Sequence, residues 1–197
     1  MQPPVARTLS ALRARMNGFA EVRERTALVP TMGALHDGHL SLVRIAKRAA
    51  DRVIVSIFVN PAQFAPGEDF EAYPRDTMTD LELLAQEGVD LVYLPDPDSI
   101  YFDDHTTQVI IGGVGEGLET DYRPTFFHGV ALVVSKLFNR IAPDFAVFGE
   151  KDYQQLAVIR RMVRDLDMPV EIIGGPHCPG CARPRPVIPQ SLFRHGR

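Results

Sequence analysis

Two histidines three residues apart, His36 and His39, stand in the string VPTMGALHDGHLSLV, which passes from an apolar run through a glycine-bearing turn into an amphipathic stretch. Where a helix begins, positions i and i+3 share a face, so both imidazoles can reach one group held at the helix mouth. A phosphate suits that mouth, because unpaired amides and the helix dipole favour negative charge there. In a displacement at an α-phosphate, charge gathers on the phosphoryl oxygens, and donors already aimed at them stabilise the transition state more than the ground state. Gly33 and Gly38 leave room for the backbone to approach such a ligand. A histidine pair is also half of a zinc site, but no Cys, Asp or Glu follows at a recognisable ligand spacing.

Two further strings carry polar groups to matching places. In VSIFVNPAQFAPGEDFEAYPRD, Asn60 and Gln63 follow an apolar run, and an amide there can hydrogen-bond hydroxyl or carboxylate groups; the competing reading is an Asn-Pro turn with an incidental glutamine. In FGEKDYQQL, Gly149 permits backbone approach, Lys151 can neutralise phosphate charge, and Asp152 is placed to cap a helix or to contact a ribose or metal. Solvated surface charge is the bland account of any one of these. The glycines of GGVGEG, Gly112 to Gly117, do not fit the G-x-G-x-x-G spacing and read as a turn.

These groups need elements to position them. TALVP, RVIVSIFVN, VDLVYLP, TTQVIIGG, DFAVFGE and PVEII read as strands. Between them, helical spacing predicts a helix over HLSLVRIAKRAA, one near Met78–Gln86 closed by Gly88, one burying Val130, Val134, Leu137 and Ile141, and one burying Leu156, Ile159, Val163 and Leu166. Leu9, Leu12 and Met16 predict a surface helix before the first strand. Apolar strands separated by helices imply an α/β fold with a doubly wound, mostly parallel sheet covered on both faces. Ligands of such sheets bind beyond the carboxyl ends of the strands, where all three strings fall.

The 197 residues suffice for one core, and a formal charge of -4 argues against nucleic acid or an anionic membrane as the main partner. No run approaches the roughly 18 apolar residues of a membrane span, and no apolar signal core is present, which predicts a cytoplasmic protein. Two cysteines, Cys178 and Cys181, cannot build a disulfide framework. Their CPGC spacing lacks both the strand-to-helix setting of a redox pair and the further ligands of a zinc site.

HDGH is similar to the HxGH signature of the nucleotidyltransferase superfamily, and the longer VPTMGALHDGHLSLV, with FVNPAQF, YPR, HGVALVVSKLFNRIAPD and FGEKDYQQL, resembles the pantothenate synthetase family over nearly the whole chain to Gly175. The resemblance implies a Rossmann-like domain over residues 1–175 and an ATP-dependent condensation of pantoate with β-alanine through a pantoyl adenylate. It assigns ATP to Met32, Gly33, Ala34, Leu35, His36, Asp37, Gly38 and His39 and to Gly149, Glu150, Lys151 and Asp152. It assigns pantoate to Gln63 and Gln155, catalysis to His36, His39 and Lys151, Mg²⁺ to the triphosphate, and a homodimer to the assembly, with no protein ligand set for a metal. Family members often carry RPGHF where this chain reads RPTFF, with Thr125 and Phe126 in place of the glycine and histidine. From Pro176 the chain turns rich in proline and arginine, without periodicity. The family continues instead with a Ser-Ser-Arg-Asn loop and a small lid domain. Back-translating His177 to Arg197 and dropping one nucleotide yields a peptide containing Ser-Ser-Arg-Asn, so residues 176–197 are expected to be a frameshifted tail and the activity of the chain as written to be severely reduced. The same residues are compatible with a related HxGH adenylyltransferase, or with a ligand-binding remnant that does not catalyse.

Overall fold

The computed structural model describes residues 2–64 and 76–176; the YPR element, the CPGC pair and the expected frameshift lie outside the described residues. The strands are β1 (Val5–Ala6), β2 (Thr26–Thr31), β3 (Arg52–Ile57), β4 (Leu91–Tyr93), β5 (Phe145–Gly149) and β6 (Glu171–Gly175). The helices are α1 (Leu9–Glu21), α2 (Asp37–Ala49), α3 (Thr77–Gln86), α4 (Pro97–Ile100), α5 (Glu119–Tyr122), α6 (Phe126–Ile141) and α7 (Tyr153–Asp165), with 3-10 turns at Pro61–Gln63, Gly113–Gly115 and Glu150–Asp152.

The strands form one sheet in the order β1-β4-β3-β2-β5-β6, parallel at every pairing. Side-chain alternation then divides the apolar residues between two faces. Leu28 and Ile54 face a core with Leu12 of α1, Val130 and Leu137 of α6 and Ile159 of α7. Ala27, Val29 and Val55 face a second core with Val43 of α2 and Leu84 of α3. The doubly wound expectation therefore holds, and the chain reverses direction across the sheet between β2 and β5. There the strands diverge: β2 pairs with β3 as far as Thr31–Ile57, but with β5 only at Ala27–Phe145 and Leu28–Ala146. A crevice opens at the carboxyl ends.

Three expectations are corrected. The TTQVIIGG segment forms no strand. Its alternation is real, since Val109 and Ile111 pack on the core while Ile110 is exposed, but Gly115 just beyond it lies close to Ile111 and to Val158 of α7, and among the described residues no strand pairs with the segment. Leu166 is exposed, because α7 ends at Asp165 and Met162, fully buried, fills the apolar stripe instead. The N-terminal segment also contributes β1, paired to β4 at Val5–Val92 and Ala6–Tyr93, which two residues preceded by prolines could not announce by periodicity.

Candidate active site

Beyond Thr31, at the end of β2, the chain turns through Gly33 at φ +81° and Ala34 at φ +51° before α2 begins. Both conformations lie in the left-handed region, natural for glycine and costly for alanine. His36 is the N-cap of α2, and its Nδ1 accepts a hydrogen bond from the Gly38 amide at 3.1 Å. That bond leaves Nδ1 unprotonated, so a neutral His36 ring carries its hydrogen on Nε2 and donates from there. One turn further, the His39 ring lies with its centroid 4.2 Å from that of His36. His39 Nδ1 is buried without a hydrogen-bond partner. Burial, then the neighbouring His36 and Lys151, lower the His39 pKa to about 4, so this ring is neutral at physiological pH.

Both histidines border a cavity of about 290 Å³ in the crevice. From the first string, Met32, His36, Gly38 and His39 line it; Gly33, Ala34, Leu35 and Asp37 do not. The lack of a side chain at Gly33 serves a different neighbour, since a Cβ there would lie 3.0 Å from Asp80 Oδ2. From the third string Gly149, Lys151 and Asp152 also line it, with Gln155 in the first turn of α7, while Glu150 stays outside the lining. Asp152 occupies the N-cap position of α7 but its side chain makes no capping bond, so the expected cap is absent and the carboxylate is left on the cavity wall.

Gln63 reaches the cavity from the 3-10 turn after β3. Asn60 builds that turn: its Oδ1 accepts from the Ala62 amide at 3.2 Å and from the Tyr101 hydroxyl at 2.8 Å, and its Nδ2 donates to the Gly129 carbonyl at 3.1 Å. Arg123 Nη2 donates to the Gln63 carbonyl at 2.7 Å, holding the other end. Asn60, expected to offer its amide to a ligand, thus spends its oxygen and one N–H on the protein and positions Gln63. An apolar part of the wall comes from Phe58 and from Val130, Val133, Val134 and Leu137 of α6.

Sequence reasoning missed two residues. Gly129 lets α6 touch the turn, since a Cβ there would fall 2.2 Å from the Ala62 carbonyl oxygen. Asp80 of α3, only 3% exposed, accepts from the Ala34 and Leu35 amides. Neither residue carried a local signal, because each acts on a segment far away in the chain. Among the described residues no group of three or more His, Cys, Asp or Glu could hold a metal, and no helix is long and apolar enough to cross a membrane.

A cavity at this switch point, lined by two close imidazoles and a lysine, is equipped to bind an anion and to stabilise charge developing on it. Comparison with known proteins points the same way. The family model described as pantoate-beta-alanine ligase matches residues 4–178. The pantothenate synthetase of Mesorhizobium japonicum is 55% identical over 175 residues, covering 89% of this chain and 62% of its own length. That of Maricaulis maris is 56% identical over 174 residues, covering 88% of this chain and 60% of its own. Among solved structures, pantothenate synthetase from Thermus thermophilus superposes with a TM-score of 0.84 at 47% identity, over 89% of this chain and 62% of that one. The pantoate-β-alanine ligase of Francisella tularensis, complexed with β-γ ATP and β-alanine, superposes with a TM-score of 0.85 at 36% identity, over 90% of this chain and 69% of that one. The chain spans about three fifths of the length of the curated relatives, 62% and 60% for the two named.

Proposed function

This chain belongs to the pantoate-β-alanine ligase family, and from that premise we propose that its cavity binds ATP and pantoate and supports attack of the pantoate carboxylate on the α-phosphate. In that step a carboxylate oxygen forms a bond to phosphorus, the bond to the β-phosphate oxygen breaks, and pyrophosphate leaves with the electron pair. In the second step the amine of β-alanine attacks the acyl carbon, AMP departs, and the amine loses a proton to solvent.

The observation that carries this reading is the histidine pair: two rings 4.2 Å apart, His36 with Nε2 as its donor and His39 neutral, with Lys151 also on the cavity wall. Ring nitrogens held in place can stabilise the oxygens as charge builds without having first to lose water. Gln63 and Gln155 are suited to the hydroxyl and carboxylate groups of pantoate, and the valines of α6 to its geminal methyl groups. Mg²⁺ carried on nucleotide phosphates needs only one or two protein carboxylates, and Asp152, uncapped on the wall, fits as one. The ion would offset triphosphate charge. Residues 1–175 then serve as the nucleotide- and pantoate-binding unit and residues 176–197 are a frameshifted tail, in a homodimer as the family resemblance implies and in the cytoplasmic setting expected from the sequence.

Pantoate-dependent exchange of labelled pyrophosphate into ATP, followed by AMP release that requires β-alanine, tests it. Turnover expected from this chain is low, with ATP and pantoate binding measurable by calorimetry. Exchange that needs a phosphate-ester substrate in place of pantoate, or absence of both exchange and pantoate binding, would overturn the reading.

A further inference from the structure

We propose that Asp80, which does not line the cavity, is the positioning residue that sets the turn carrying His36 and His39 in its working geometry. Its functional arm rests on the reading of the cavity as an adenylating site; its structural arm does not.

Asp80 Oδ2 accepts from the Ala34 amide at 3.0 Å, and Oδ1 accepts from the Leu35 amide at 2.7 Å. Consecutive amides turned to one side form a concavity that binds anions, the arrangement that cradles phosphate in many nucleotide sites. Here the concavity is filled by the chain's own carboxylate, brought from α3, whose first turn is secured by the Asp76 side chain accepting from the Thr79 amide at 3.1 Å. The amides of Ala34 and Leu35 are therefore spent on Asp80, and the phosphate-facing part of the turn is left to His36, Gly38 and His39. Asp80 is 3% exposed, and burial pushes its carboxyl up while the two amides pull it back. A buried carboxylate is retained at a cost that ordinary packing does not demand.

What it secures is a backbone that would not hold itself. Ala34 sits at φ +51°, a region that side chains other than glycine seldom adopt, and such a residue persists where its surroundings over-determine it. The turn it makes delivers His36 to the N-cap of α2, and through α2 sets His39 beside it. Without the carboxylate, Ala34 is free to leave the left-handed region, and the two rings lose the spacing of 4.2 Å that the turn gives them.

The full chain carrying Asp80→Asn, which keeps the volume and one acceptor, and a second variant, Asp80→Ala, test this. Amide hydrogen exchange is expected to accelerate by about tenfold or more at Ala34 and Leu35, while Val29 and Val55 in the sheet keep their protection. In the same samples the His39 ring, titrated by NMR, is expected to move from about 4 towards the ordinary 6.5 as its burial loosens. Pantoate-dependent pyrophosphate exchange should lose about tenfold or more in kcat, with KM for pantoate changed less than about twofold. Accelerated exchange with an unmoved His39 ring would make Asp80 a residue of stability alone and overturn the proposal, as would unchanged protection or unchanged turnover. If the wild-type chain shows neither pyrophosphate exchange nor pantoate binding, the functional reading fails by itself, and the amide and ring measurements still decide the clamp.

Discussion

At the scale of the residue, the two histidines differ in what the protein asks of them. His36 closes α2 through Nδ1, which makes Nε2 its donor, whereas His39 has a buried Nδ1 with no partner and is held neutral. Replacing His39 by Ala is expected to lower pantoate-dependent pyrophosphate exchange by about a hundredfold, the scale for one lost transition-state donor, while ATP affinity changes little. Unchanged turnover would remove His39 from the mechanism. The lowered pKa also links to stability. Between 6.5, the unfolded value, and about 4 the unfolded chain takes up a proton that the folded chain refuses, so this contribution is complete above pH 6.5 and is lost as pH falls through that window. The loss amounts to about 3 kcal/mol for this group alone. His39→Gln should therefore show a smaller fall in denaturant midpoint between pH 7.5 and pH 4.5 than the wild type; equal falls would contradict the shift.

At the scale of the element, the site depends on segments that touch because one residue is small. The turn Pro61–Gln63 lies against α6 at Gly129, with no space for a Cβ. Gly129→Ala must displace backbone, costing about 1–3 kcal/mol, and with it Gln63. Calorimetry should then show weaker pantoate binding with ATP binding retained, and pantoate affinity equal to wild type would detach Gln63 from that substrate. The TTQVIIGG segment teaches the complementary lesson. A period of two reports which side chains face inward, but a strand also needs a neighbour with free amides and carbonyls, and the sequence of one segment says nothing about its neighbour.

At the scale of the whole molecule, the sheet has a working end and a holding end. Opposite the cavity, Arg52 at the start of β3 pairs with Glu24 and Asp90, and Asp144 accepts from the Thr26 amide, tying the amino ends of the strands to the loops before them. Arg52→Ala should lower the melting temperature but leave the affinities for ATP and pantoate unchanged, since nothing in this network reaches the cavity. A matching loss of ATP affinity would show that the two ends are coupled.

The strings around His36, Gln63 and Lys151 and the alternation of β2 to β6 with α2, α3, α6 and α7 could be read from the sequence, because apolar period and local spacing are properties of short segments. Only the folded chain decided that the strings meet between β2 and β5, that Asn60, though it borders the cavity beside Gln63, spends its oxygen and one N–H on the protein, and that Asp80 fills a concavity beside the histidines. These last two rest on contacts between residues distant in the chain, from 41 to 69 positions apart. Their geometry follows from how the layers pack around the sheet, a property that no window of sequence contains.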